Sequence, residues 1–218
     1  NMGVVGPAPG FLEGLRKLCD KSGALLVFDE VITGFRLALG GAQAYYGVQA
    51  DLVTFGKIIG GGMPVGAYCG SRTLMEQVAP CGPVYQAGTL SGNPVAMAAG
   101  LAQLHYLKDH PEVYTQLSEK GAFLAEGLTR AAQKTGAAVQ INHVESLCAP
   151  FFTPTPVTTF VDAKGSDLQA YARYFAGMLQ KGIALAPAQF EAMFVSTAHT
   201  EEELTYTIQA AEAVLAAL

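Results

Sequence analysis

Apolar positions fall into two spacings along the chain, and their alternation sets the expected order of elements. Phe11, Leu12, Leu15, Leu18 and Cys19 recur at helical spacing, and Gly23 is placed to stop that helix. Residues 24–28 form a continuous apolar run ending at Asp29. Such a run marks a strand buried on both faces of a parallel sheet. Residues 52–55 repeat the pattern and lead through Gly56 into Lys57 and the cluster Gly60-Gly61-Gly62. Residues 65–69 read as a further strand and 73–78 as a short helix. Asn93-Pro94 then opens a helix to about Lys108, because Asn caps free amides and Pro suits the first helical position. Strands alternating with helices predict an α/β fold with a parallel-type sheet.

The alternation breaks at Asp109-His110-Pro111, the expected domain boundary. Residues 1–109 form the predicted large domain and 110–218 a small α+β domain. In the latter a long helix is predicted to about Thr135, with Val113, Leu117, Leu124 and Leu128 on one face. Strand-like runs follow at 138–141 and 146–153. Ser166-Asp-Leu-Gln169 reads as a capping box opening a helix that Gly182 ends, and 183–186 as a returning strand. Thr200-Glu-Glu-Glu203 is a second capping box, starting the last helix.

Charge and composition narrow the function classes. With 218 residues, half of them hydrophobic and 14% charged, the chain can bury a sizeable core. The net charge of −5 offers no basic stripe for nucleic acid. No apolar run approaches the roughly 18 residues of a membrane helix, and no signal-peptide pattern opens the chain. Cys19, Cys69, Cys81 and Cys148 have no metal-ligand spacing, nor do the four histidines, so no metal site is expected. The cysteines fit reduced, mostly buried thiols of a cytoplasmic protein. The opening stretch from Asn1 to Gly10 reads like a loop fed by an earlier element, so the chain looks truncated at its start.

Candidate chemistry gathers at the strand ends. Lys57 stands at the end of one apolar strand before glycines that leave open space beside it. A lysine held in an apolar pocket has its charged form disfavoured, which prepares the amine for Schiff-base chemistry. The alternative is a surface lysine marking the strand's exit into solvent. A phosphate loop is excluded, since Ile58 follows Gly56-Lys57 where that pattern requires a hydroxyl. Asp29 ends the other strand, where ligands of open α/β sheets bind; taken alone it also reads as an acidic loop cap. Lysine and acid together meet the needs of pyridoxal phosphate, whose aldehyde takes an amine and whose ring nitrogen takes an anion. The stretch Gly88-Thr-Leu-Ser-Gly-Asn-Pro94 supplies small residues, hydroxyls and a helix start for a phosphate, or simply an ordinary helix cap.

Three motifs then carry a resemblance: Asp29-Glu-Val-x-Thr-Gly-x-Arg36, Lys57-x-x-Gly-Gly-Gly-x-Pro-x-Gly66 and Gly88-Thr-x-Ser-Gly-Asn-Pro94. Together the chain resembles the class III pyridoxal-phosphate aminotransferases of fold type I. The segments 78–92 and 185–199 resemble that family's aminomutase branch, which moves an amino group between adjacent carbons of one five-carbon substrate on the path to tetrapyrroles. The resemblance implies pyridoxal 5'-phosphate and pyridoxamine 5'-phosphate as cofactor forms, with Lys57 as the Schiff-base lysine and proton carrier. It implies Asp29 at the ring nitrogen and Val31 against the ring. Gly88 and Thr89 are implied at the phosphate, with Thr89 reaching the neighbouring subunit of a homodimer. Glu191 is implied near the substrate pocket, although sequence alone makes it a solvated loop carboxylate. Met193 and the segment 146–150 depart from the branch's usual pattern. The chain corresponds to the C-terminal half of such an enzyme, without its other phosphate loop, stacking aromatic and lid. Another class III ω-aminotransferase and a non-catalytic remnant are the rival readings.

Overall fold

A computed structural model describes residues 1–218. The chain divides into two compact units, Pro9–Tyr114 and Asn1–Ala8 with Thr115–Leu218. The division thus falls after Tyr114, where the sequence breaks at 109–111, and the first eight residues belong with the C-terminal unit.

In the Pro9–Tyr114 unit, α1 (Phe11–Ser22) stops at Gly23, which adopts the left-handed conformation at φ 70°. Strand β1 (Val27–Glu30) starts later than the apolar run and is not buried on both faces, since Leu25 and Val27 are about half exposed. Helix α2 (Gly41–Tyr46) precedes β2 (Leu52–Phe55), which a 3-10 turn (Lys57–Gly60) follows directly. Strand β3 (Ala67–Gly70), α3 (Arg72–Met75) and α4 (Pro94–Asp109) complete the unit. β1 and β2 run parallel, with Asp29 opposite Thr54 and Glu30 opposite Phe55. β3 pairs antiparallel with β2, so the expected parallel-type sheet is mixed. The short link between them, residues 56–66, explains this, because a parallel return needs a crossover of a dozen or more residues.

The start of β2 is fixed by a carboxylate. Asp51 accepts the Leu26 amide at 2.7 Å and pairs with Arg16 of α1 at 2.8 Å. The Leu26 amide, then Arg16, hold its pKa below the usual carboxylate range.

Helix α5 (Glu112–Thr135) begins at the division and runs into the other unit. Val113, Leu117, Leu124 and Leu128 are all buried, as their spacing predicts. Strands β4 (Gln140–Val144), β5 (Leu147–Phe151) and β6 (Met193–Phe194) form an antiparallel sheet. Helices α6 (Phe160–Lys164), α7 (Leu168–Gln180) and α8 (Glu201–Leu215) pack around it. Leu128, Tyr174, Met178, Cys148 and Ala211 meet in its core. The capping box at Thr200 and Glu203 forms, at 3.2 Å and 2.7 Å. The one expected at Ser166 does not: Asp167 caps α7 and the buried Ser166 hydroxyl has no partner. Residues 183–186 form no strand; β5 pairs instead with the two-residue β6. Only Cys148 among the cysteines is buried, and burial pushes its thiol pKa up to about 12. No helix is long and apolar enough to cross a membrane.

Candidate active site

Lys57 lies immediately beyond β2, at φ 49°, as the first residue of the 3-10 turn. Left-handed backbone is uncommon outside glycine and is seen where surrounding structure enforces it. The turn packs directly on α4. A Cβ added at Gly61 would stand 2.5 Å from the Ala99 carbonyl oxygen, and one added at Gly100 would fall on the Ile59 carbonyl. Two glycines, one on each element, therefore let helix and turn touch backbone to backbone. Lys57 itself is exposed in this chain.

Asp29 is the next-to-last residue of β1, on the parallel neighbour of β2. Its Oδ1 accepts the Val31 amide at 3.0 Å and the Thr54 hydroxyl at 3.3 Å, tying the acid both to its own loop and to the lysine strand. The Val31 side chain lies against Gly56, where an added Cβ would sit 3.2 Å from its Cγ1. Asp29, Val31 and the backbone leading to Lys57 are thus gathered at neighbouring carboxyl ends of two parallel strands.

Glu30, which the sequence reading passes over, is 1% exposed. Its carboxylate accepts the Ala42 amide at 2.5 Å, the Gln43 amide at 3.0 Å and the Thr33 hydroxyl at 3.0 Å. The available signal was an acid at a strand end followed by Gly40-Gly41 at a helix start.

Gly88 and Thr89 lie on an exposed loop of the same unit. The Ser91 amide donates to the Gly88 carbonyl at 2.9 Å, and Asn93 caps α4 by accepting the Val95 and Ala96 amides. Those amides are engaged, so a phosphate here would rely on the loop's hydroxyls and remaining amides. Gly100, where α4 meets the lysine turn, is about 9 Å along the helix axis from Pro94.

Glu191 belongs to the other unit and is half-buried before β6. The Asn1 side-chain amide donates to it at 2.8 Å, and the Gly3 amide donates to the neighbouring Phe190 carbonyl. The Tyr171 phenol donates to Ala186 at 2.5 Å; burial raises its pKa first, and the Glu191 charge adds to the rise. A cavity of about 360 Å³ lies here, lined by Glu191, Met193, His199 and Thr207 among Leu124, Leu185 and Leu204. The two departures noted in the sequence prove to be neighbours, since Met193 is opposite Cys148 across β5 and β6. Residues 146–150 are fully buried, so they pack the core, whereas Met193 lines the cavity.

Comparison with known proteins adds independent information. The family pattern described as "Aminotransferase class-III" matches residues 1–211. Glutamate-1-semialdehyde 2,1-aminomutase of Ruminiclostridium cellulolyticum is 61% identical over 99% of this chain, and that of Desulforamulus reducens is 59% identical over 97%. The chain spans about half the length of these curated relatives, 50% and 49% respectively. Among solved structures, an omega-transaminase from Sphaerobacter thermophilus superposes with a TM-score of 0.90 at 32% identity, covering 98% of this chain and 49% of its own. A structure described as "Transaminase with PLP bound" gives 0.85 at 28% identity, covering 98% of this chain and 49% of its own.

Proposed function

The chain belongs to the class-III aminotransferase family, and on that premise we propose that the intact protein is a pyridoxal-phosphate aminomutase converting glutamate-1-semialdehyde to 5-aminolevulinate. The observation that carries the cofactor assignment is the gathering of Asp29, Val31 and Lys57 at adjacent strand ends. The residues fit the group: a primary amine, a carboxylate oriented by two donors, an apolar wall and a loop of small hydroxyl residues. The identity near 60% to curated aminomutases, over 97–99% of this chain, favours the mutase over an ω-aminotransferase.

Pyridoxal phosphate, when bound, supplies an aldehyde for amine capture and a protonated ring that accepts electrons. The protein's residues do the rest. Lys57 offers its Nζ as the nucleophile and then carries protons to and from the substrate carbons. The Asp29 carboxylate, held by the Val31 amide and the Thr54 hydroxyl, supplies the anion for the ring nitrogen. Val31 provides the apolar face. Gly88 and Thr89 hold phosphate oxygens, with Thr89 serving the neighbouring subunit of a homodimer. Tyr85, Leu90, Val95 and Leu101 around that loop are all more than half exposed, an apolar surface suited to such a partner. Glu191, which accepts the Asn1 side-chain amide, is the candidate carboxylate for the substrate pocket. The exposed Cys69 and Cys81 thiols accord with the reducing cytoplasm.

Borohydride reduction of the intact protein with cofactor, followed by peptide mapping, tests the reading. Cofactor should be fixed on Lys57, and Lys57→Ala should lose it together with about 10²-fold or more of the turnover. Cofactor fixed elsewhere, or wild-type turnover in the variant, overturns the assignment.

A further inference from the structure

We propose that Glu30 is a positioning residue, whose buried carboxylate holds the loop after β1 so that Asp29 and Val31 keep one arrangement toward the cofactor. The inference rests on the reading of Asp29 and Val31 given above, and goes beyond it by assigning the neighbouring acid. An ionised carboxylate is costly to bury unless donors surround it. Glu30 has three, and both of its oxygens are engaged. Two come from the first turn of α2, whose six residues make little stable helix by themselves. The carboxylate therefore does more than cap a helix. It ties the far end of the 31–41 loop back to the strand end from which the loop departs.

The near end of the same loop orients the site. Val31 is its first residue, and the Val31 amide is one of the two groups that orient Asp29. The Gly34 amide donates to the Glu30 carbonyl at 2.9 Å, and Gly34 lies so close to the Phe55 ring of β2 that an added Cβ would sit 2.5 Å from its Cδ1. Loosening the Glu30 carboxylate frees the loop, and with it the amide that aims Asp29 and the side chain beside Gly56. Gly41 confirms how closely the carboxylate is seated, because a Cβ there would fall on Glu30 Oε2.

The test uses intact protein reconstituted with pyridoxal phosphate, comparing Glu30→Gln, Gly41→Ala, Asp29→Asn and, as a packing control in the other unit, Leu128→Ala. Cofactor affinity, the pH titration of bound-cofactor absorbance and Tm are measured for each. Glu30→Gln removes the charge, and Gly41→Ala displaces the carboxylate while keeping it. Both should weaken cofactor binding about tenfold and shift the titration midpoint in the same direction as Asp29→Asn. Leu128→Ala should lower Tm alone. If Glu30→Gln and Gly41→Ala lower Tm but leave affinity and titration at wild-type values, Glu30 is a helix cap and the inference is wrong. If either variant fails to fold, Thr33→Val, which removes one donor, decides the matter through an expected change of about threefold or none. If Asp29→Asn itself leaves the titration unmoved, the Asp29 assignment fails and takes the inference with it.

Discussion

The contact between α4 and the lysine turn can be measured through two adjacent glycines. Gly61 and Gly62 both have positive φ, at 55° and 91°. Alanine at either position carries a conformational penalty of about 1–2 kcal/mol. Only at Gly61 does the new methyl meet a neighbour, 2.5 Å from the Ala99 carbonyl oxygen and 3.3 Å from Gln103 Cβ; at Gly62 nothing lies within 4 Å. The first of these contacts is with helix backbone, so relief requires moving α4 from the turn, at about 1–3 kcal/mol. Gly61→Ala should therefore destabilise by about 2–5 kcal/mol, and Gly62→Ala by the conformational share alone. Urea denaturation of both variants isolates the steric part by difference. Because α4 supports the turn carrying Lys57, Gly61→Ala should also reduce the cofactor fixed by borohydride, while Gly62→Ala should not. Equal unfolding free energies within about 0.5 kcal/mol would falsify the claim that this contact holds the lysine turn.

Two further outcomes follow from the shifted groups. The folded-state pKa of Asp51 is depressed, so its stabilising contribution is present above the unfolded value, about pH 4, and is lost as pH falls through the folded value. Asp51→Asn should be less stable than wild type at pH 7, with the gap closing toward pH 3 in urea titrations; a gap independent of pH contradicts the role of the charge. Cys148, buried and raised to about pKa 12, should resist alkylation at pH 8 until the protein is denatured, and rapid native labelling would contradict the packing of β5.

Local order was well encoded where one interaction decides it. Gly23, Asn93 and Thr200 each end or begin a helix where the sequence places them, since a cap needs only its own residue and the next turn. The limits of β2 were legible for a similar reason, with Asp51 before it and glycine after it. Choices settled by distant partners were not legible. Residues 183–186 have strand-like composition, but β5 takes its pairing from 193–194 instead. Ser166 carries a capping pattern, yet Asp167 is the residue whose oxygen reaches the free amides. The antiparallel direction of β3 follows from the length of the glycine turn, which apolar patterning does not weigh. In the candidate site, Asp29 and Lys57 were visible because strand ends mark them. Glu30 was harder to see because two of its three donors, at 42 and 43, lie across a loop whose return only the Gly40-Gly41 pair hints at.

The central claim is an amino transfer within one substrate, and it is tested most directly by supplying intact, cofactor-loaded protein with glutamate-1-semialdehyde in the absence of any keto acid. An aminomutase returns the amine to the same carbon skeleton, so 5-aminolevulinate should accumulate catalytically, well beyond one equivalent per site. No product under these conditions, with brisk exchange between an ω-amine and pyruvate, would contradict the claim and make the protein a general aminotransferase.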